Sequence, residues 1–138
     1  MIVLDTNIVS ELMRREPNLR VLNWIRRQNT SRLYLTALSV AEIRRGLDLL
    51  PDGKRKLDLG NAFEEFLEKG FDRRTLPFTT ETSRVYAPIY RARVKAGLGV
   101  GELDLLIAAI AKEHNADLAT RNTTDFEACG LRLINPWE

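Results

Sequence analysis

The 138-residue sequence holds one cysteine and one histidine, and both scarcities exclude chemistry. Cys129 alone permits no internal disulfide, so no covalent staple is expected and a reducing, cytoplasmic compartment suits the chain. A lone His114 leaves no zinc-type ligand cluster, and its place at the end of a predicted helix suits a C-terminal charge. No apolar stretch approaches the roughly 18 residues that cross a membrane, and Asp5 breaks the first apolar run too early for a signal-peptide core. No membrane partner is therefore expected. The glycine-rich segment Gly97-Leu98-Gly99-Val100-Gly101 has neither the spacing nor the lysine of a phosphate-binding loop. No serine or cysteine stands beside an evident base. Repeats, low-complexity tracts and linkers are also missing, which predicts one domain over residues 1–138, long enough to bury roughly two thirds of its unfolded surface. Neither sign of charge dominates. The formal net charge of +2 is too small to establish a nucleic-acid partner. Arg14-Arg15, Arg26-Arg27, Arg44-Arg45 and Arg73-Arg74 are nevertheless four arginine pairs, a residue suited to bidentate phosphate contacts but also common on solvated helices.

What is present alternates short apolar runs with amphipathic stretches, the pattern of a mainly parallel sheet covered by helices on both faces. Residues 2–4 read as a buried strand and 7–14 as a helix. Pro17-Asn18 restarts a helix from Leu19 to Arg27, and 33–35 is a strand. Ser39 is expected to open a helix through Leu50, with Val40, Ile43, Leu47 and Leu50 as its stripe. A charged helix follows over 54–69, burying Leu59, Phe63, Phe66 and Leu67; then come a strand at 74–78 and a helix from Thr80 to Ala96 kinked at Pro88. The chain closes with a buried helix from Glu102 to His114, strands at 117–120 and 131–134, and a short helix near 123–128 between them.

Three acids resist a purely structural explanation. Asp5 ends the apolar run Met1-Ile2-Val3-Leu4, so its carboxylate belongs at the C-terminal end of a buried parallel strand. Ligands of open α/β sheets bind at that edge, and a carboxylate desolvated there requires a cationic partner. Asp104 sits in Leu103-Asp104-Leu105-Leu106-Ile107-Ala108, apolar almost all round, with Ala108 and Ala111 on its own helical face. An acid in a first helical turn also answers the macrodipole, which explains an exposed aspartate better than a deeply set one. Glu42 is more ambiguous. Ser39-Val40-Ala41-Glu42 fits a capping box, yet Glu42 lies beside the apolar stripe with Gly46 one turn on. A fourth region, Thr120-Arg121-Asn122-Thr123-Thr124-Asp125, puts oxygen-bearing side chains after a strand; Asn122 or Thr123 would equally cap the short helix.

Oxygen ligands gathered from separate strand ends, without histidine or cysteine, fit Mg²⁺, with Mn²⁺ as a substitute, rather than zinc. Acids with a hard cation at a sheet edge point to phosphoester chemistry. The residues Met1-Ile2-Val3-Leu4-Asp5-Thr6-Asn7, Ala41-Glu42-Ile43-Arg44-Arg45-Gly46, Asp104 in its apolar helix, and Thr120-Arg121-Asn122 with Asp125-Phe126 resemble the PIN-domain ribonucleases. More narrowly the chain resembles the VapC toxins, and its ending Asn135-Pro136-Trp137 is similar to their FitB-like branch. The ordered set covers the whole chain and is more specific than any one motif. The resemblance implies a three-layer α/β/α PIN domain acting as a Mg²⁺-dependent endoribonuclease, the toxin of a type II toxin–antitoxin pair. It implies Asp5, Glu42 and Asp104 as metal-binding and catalytic acids, with Thr120 positioning water or phosphate. Family members often carry an acid where this chain has Asn122, which leaves a fourth ligand open between Asn122, through its carbonyl or a water, and Asp125. It further implies an RNA substrate, a homodimer, a small antitoxin and DNA contact only through that antitoxin. Two rivals are a phosphatase of the haloacid-dehalogenase type, which needs an acid where Asn7 stands, and a catalytically weak or inactive PIN-like binding module.

Overall fold

Strand β1 is only three residues long, Ile2–Leu4, and its side chains sort to opposite sides. Ile2 and Leu4 join one apolar cluster with Ile8, Val9, Val21, Val40 and Phe63, whereas Val3 joins another with Ile89, Leu105, Ile107 and Phe126. The period-two alternation of a strand thus puts a core on each face of one sheet. A computed structural model describes residues 1–138 and shows a five-stranded, all-parallel sheet in the order β3-β2-β1-β4-β5. The other strands are β2 (Leu33–Thr36), β3 (Thr75–Leu76), β4 (Asp117–Ala119) and β5 (Leu133–Ile134). Helices α1 (Thr6–Leu12), α2 (Leu19–Arg27), α3 (Ala37–Asp48) and α4 (Lys54–Gly70) supply the first cluster; α5 (Thr80–Lys95) and α6 (Glu102–Glu113) supply the second. The three-layer α/β/α expectation holds.

Register explains where ligands would meet this sheet. Ile2 lies beside Leu33 on one side and Asp117 on the other, so β1 is central. The chain moves outward from β1 through β2 and β3, then returns to β4 on the opposite side. The topological switch point therefore lies between β1 and β4, and a crevice is expected beyond their C-terminal ends. Asp5 follows β1 there, with its N–H bonded to Ala119 O at 2.9 Å, and Thr120 follows β4.

Several expected boundaries shift, each for a local reason. Helix α3 begins two residues before Ser39, because β2 runs one residue further and Thr36 becomes the cap, accepting from Ser39 N–H at 3.1 Å. Glu42 is thus well inside the helix, and its capping-box reading is overturned. Helix α1 starts at Thr6, capped by Asp5, and stops at Leu12 rather than continuing to Arg14. Strand β3 is cut to two residues before Pro77, which has no N–H for a ladder. Strand β5 begins at Leu133, two residues later than expected. The expected helix near 123–128 is a single 3-10 turn, Thr123–Phe126, ended by Ala128 and Gly130 at φ 63° and 72°. Pro88 removes one donor from α5 without dividing it.

Candidate active site

The C-terminal ends of β1 and β4 open into a cleft of about 500 Å³ whose walls include Asp5, Glu42, Asp104 and Asn122. Asp5 is 4% exposed and held on both oxygens. Its Oδ1 accepts Thr6 N–H at 2.8 Å, capping α1, while Oδ2 accepts the Thr120 hydroxyl at 2.8 Å and the Asn7 amide at 3.4 Å. Thr120 is fully buried behind Asp5, and its oxygen also accepts Asn122 N–H at 3.1 Å. None of these partners is a cation. Burial pushes the Asp5 carboxyl up to about 6; the bonds from Thr120 and Thr6 oppose the rise, and repulsion from Asp104 and Glu42 adds to it.

Glu42 reaches the cleft from the second turn of α3, where its Oε1 accepts the Thr6 hydroxyl at 2.8 Å. Asp104, in the first turn of α6, is half-buried. Desolvation raises its carboxyl, as do the charges of Asp125 and Glu42, while Arg93 opposes them. The helix begins here without a side-chain cap, at Gly101, where a β-carbon would stand 3.3 Å from Asp104 Oδ2. Asn122 is exposed and precedes the 3-10 turn without making a side-chain cap, so that structural alternative is not realised. Asp125 is exposed and acts on Asp104 only through its charge.

Other groups of the cleft escaped the sequence reading. The Thr6 hydroxyl ties Glu42 to the start of α1, a contact 36 residues apart in sequence. Glu11, 5% exposed, accepts the Trp137 indole N–H at 3.3 Å and pairs with Arg14 at 3.3 Å. Arg121 stacks over the Trp137 ring at 5.4 Å. The only local signal for Glu11 is an acid between Val9 and Leu12 in a short apolar helix. A second groove of about 910 Å³ adjoins the cleft through Thr6, Ser10, Arg14 and Glu42 and carries Arg15 and Arg55. It is larger than the acidic cleft, but of Asp5, Glu42 and Asp104 only Glu42 lines it, whereas all three line the cleft.

Asp5, Glu42 and Asp104 repel one another, accept no bond from a cation, and are joined in the cleft by no histidine or cysteine; Glu11, the fourth acid of the lining, is already paired with Arg14. That donor set fits a hard divalent cation. No three Asp, Glu, His or Cys side chains are already drawn round one point.

A PIN-domain family model matches residues 2–129. The chain belongs to the PIN-domain family. It is 46% identical over 138 residues to the VapC ribonuclease Y4jK of Sinorhizobium fredii, covering 100% of this chain and 99% of that one. It is 39% identical over 137 residues to the toxin FitB of Neisseria gonorrhoeae, covering 99% of each chain. A solved structure of FitAB bound to an IR36 DNA fragment superposes with a TM-score of 0.95 at 39% identity, covering 100% of this chain and 96% of that one. The PIN domain is thereby placed among the VapC and FitB relatives, as its terminal motifs suggested. PIN-domain ribonucleases generally use a divalent metal. No helix of this chain is long and apolar enough to cross a membrane.

Proposed function

We propose that this PIN domain is a Mg²⁺-dependent endoribonuclease, the toxin half of a type II toxin–antitoxin pair, cutting RNA phosphodiester bonds by hydrolysis. The observation that carries the reading is the set of Asp5, Glu42 and Asp104 around one cleft at the sheet's switch point, mutually repelling and without a cationic partner bonded to them. Whole-length similarity to a named VapC ribonuclease and to a toxin solved with its partner supports the substrate and the pairing. A binding-only PIN-like module is the weaker reading, because all three acids are retained.

Asp5 and Asp104 would hold Mg²⁺ directly and Glu42 would hold it through water; Mn²⁺ would substitute. An ion bound through one or two carboxylates, with water completing its shell, agrees with acids that do not already form a closed cage. When bound, the ion supplies charge stabilisation at the phosphate and lowers the pKa of a water. The protein supplies the rest. Thr120 fixes the direction of Asp5 by its hydrogen bond, leaving little rotamer freedom to lose. Glu42 keeps one oxygen on Thr6 and has the other free to accept a proton from the attacking water. Arg14 and Arg121 on the rim would hold the RNA backbone, with a salt-dependent contribution to affinity. Asn122 would contribute its carbonyl, directly or through a water.

The same reading gives the chain a homodimer, a small antitoxin whose C-terminal segment covers the cleft, and DNA contact only through that antitoxin. The test is cleavage of end-labelled RNA by purified protein with Mg²⁺, with Mn²⁺ and with EDTA. Metal-dependent internal cuts are expected. RNA retention without cutting under every condition would favour the binding module, and cleavage that survives EDTA would overturn the metal site.

A further inference from the structure

Arg93 is a buried cation that the chemistry above does not use. It lies near the end of α5, is 4% exposed, and forms no ion pair within the salt-bridge distance that other arginines of the chain reach. Its guanidinium instead grips three backbone carbonyls. Nε and Nη2 donate to Gly99 O at 2.9 and 2.6 Å, and Nη1 donates to Thr124 O and Glu127 O, both at 3.0 Å. These carbonyls belong to two segments that meet nowhere in sequence. Gly99 sits in the loop that delivers α6 and Asp104; Thr124 and Glu127 flank Asp125 in and after the 3-10 turn. Both elements start without a side-chain cap. Their ends are therefore tied by one planar fork.

We propose that Arg93 is the positioning residue of the site, clamping the Gly97–Gly101 loop to the Thr123–Glu127 segment so that Asp104 is presented to the cleft opposite Asp5. The assignment rests on the metal-dependent reading above. A neutral donor would have served a purely structural tie. Carbonyls satisfy the N–H groups of a guanidinium but leave its full charge, and an unpaired charge at this depth is unfavourable. Of the charges that act on the Asp104 carboxyl, Arg93 is the one cation. The fork geometry matters as much, since a lysine ammonium is a single point and cannot span both segments.

Arg93→Lys tests the clamp while keeping the charge. Binding of Mn²⁺ alone, followed by electron paramagnetic resonance, should weaken about tenfold, and cleavage at saturating metal should fall by a similar factor, the range seen when groups supporting a metal ligand are removed. In an Asp104→Asn background the same substitution should change Mn²⁺ affinity by less than about twofold, because the clamp acts through Asp104. A residue with only a structural role lowers the melting temperature but leaves the Mn²⁺ affinity of the folded protein in place. A folded Arg93→Lys that binds Mn²⁺ and cleaves like wild type overturns the assignment, as does a loss carried in full into the Asp104→Asn background. If the variant does not fold, hydrogen exchange on the wild type decides. Mn²⁺ should protect the 97–101 and 123–127 segments together, and protection confined to the first overturns the clamp. Wild-type protein that neither binds Mn²⁺ nor cleaves RNA removes the metal-dependent reading and this assignment with it; wild type active beside an unchanged Arg93→Lys removes the assignment alone.

Discussion

The two halves of the cleft are built differently. On the β1–β4 side the Asp5 carboxylate is buried and fixed by Thr6, Thr120 and Asn7, with the Thr120 oxygen in turn holding the backbone of Asn122. On the α6 side Asp104 accepts no side-chain or backbone hydrogen bond, stands half in water, and owes its position to Gly101 beneath it and to the loop that carries it. One half is oriented before any ligand arrives; the other is placed by its backbone and free to turn. Glu42 lies between these extremes, with one oxygen tied to Thr6 and one open. A site of this kind presents one rigid carboxylate as a fixed point and lets a second adjust to an ion and a phosphate. Burial is the leading cause that raises both carboxyls, but the rigid half carries the larger desolvation penalty, because Asp5 is 4% exposed and Asp104 only half-buried.

Exchanging each aspartate for asparagine is the strongest test of that contrast. Asp5→Asn and Asp104→Asn are each expected to abolish RNA cleavage while leaving the fold intact, and near-wild-type cutting by either purified variant would break the catalytic assignment. Stability should separate them. The Asp5 carboxyl titrates near 6 in the folded chain against an ordinary value of 3.8. Its raised pKa means that the folded state binds more protons than the unfolded state between those values. Metal-free protein should therefore lose stability as pH rises from about 4 to 6, by on the order of 2–3 kcal/mol, and keep that deficit above 6. Asp5→Asn removes this pH dependence, so its melting temperature in EDTA at pH 7 should equal or exceed that of wild type. The gain from Asp104→Asn should be smaller, since its carboxyl is half-solvated. A melting temperature at pH 7 in EDTA that falls sharply for Asp5→Asn would mean that its hydrogen bonds outweigh its desolvation.

Glu42→Gln sharpens the middle of the comparison. Glutamine keeps an oxygen for the Thr6 hydroxyl and removes the free carboxylate oxygen, so the melting temperature should move by no more than about 2 °C. Cleavage should fall by about 100-fold or more, the range expected for loss of a general base. Because Thr36 caps α3, a fully active Glu42→Gln can no longer be rescued as a helix-cap result; it would remove Glu42 from the chemistry.

What the sequence made legible follows from how local each signal is. Asp5 after four apolar residues and Asp104 inside an apolar helix are contradictions visible within a few positions, and the sheet that unites them follows from alternating strand and helix patterns. The capping-box alternative for Glu42 fails for a local reason: β2 extends through Thr36, and a one-residue change in where a strand ends transfers the cap from Ser39 to Thr36. The Arg93 clamp and the Trp137–Glu11 bond were illegible because their partners lie 31 or more residues away, apart from Gly99, and nothing in a single chain fixes which carbonyl a buried guanidinium will meet. Arg93 in particular reads as one more basic residue near a helix end, where the macrodipole alone would explain it.

Asn122 gives the smallest expected effect and the finest division between the halves. Its backbone is tied to the rigid side through Thr120, yet its side chain is exposed and caps nothing. Asn122→Asp adds a fourth negative charge to the Asp5, Glu42 and Asp104 set. More ligand charge should tighten Mg²⁺ binding, while repulsion among unneutralised carboxylates grows. A lower Mg²⁺ midpoint in a cleavage titration is therefore expected, with a small loss of stability in EDTA. Both shifts should shrink at high salt if the charge acts from the solvated rim, and persist if it acts within the ion's own coordination shell. An unchanged midpoint would place Asn122 outside the site and leave the adjustable half with Asp104 as its sole contributor.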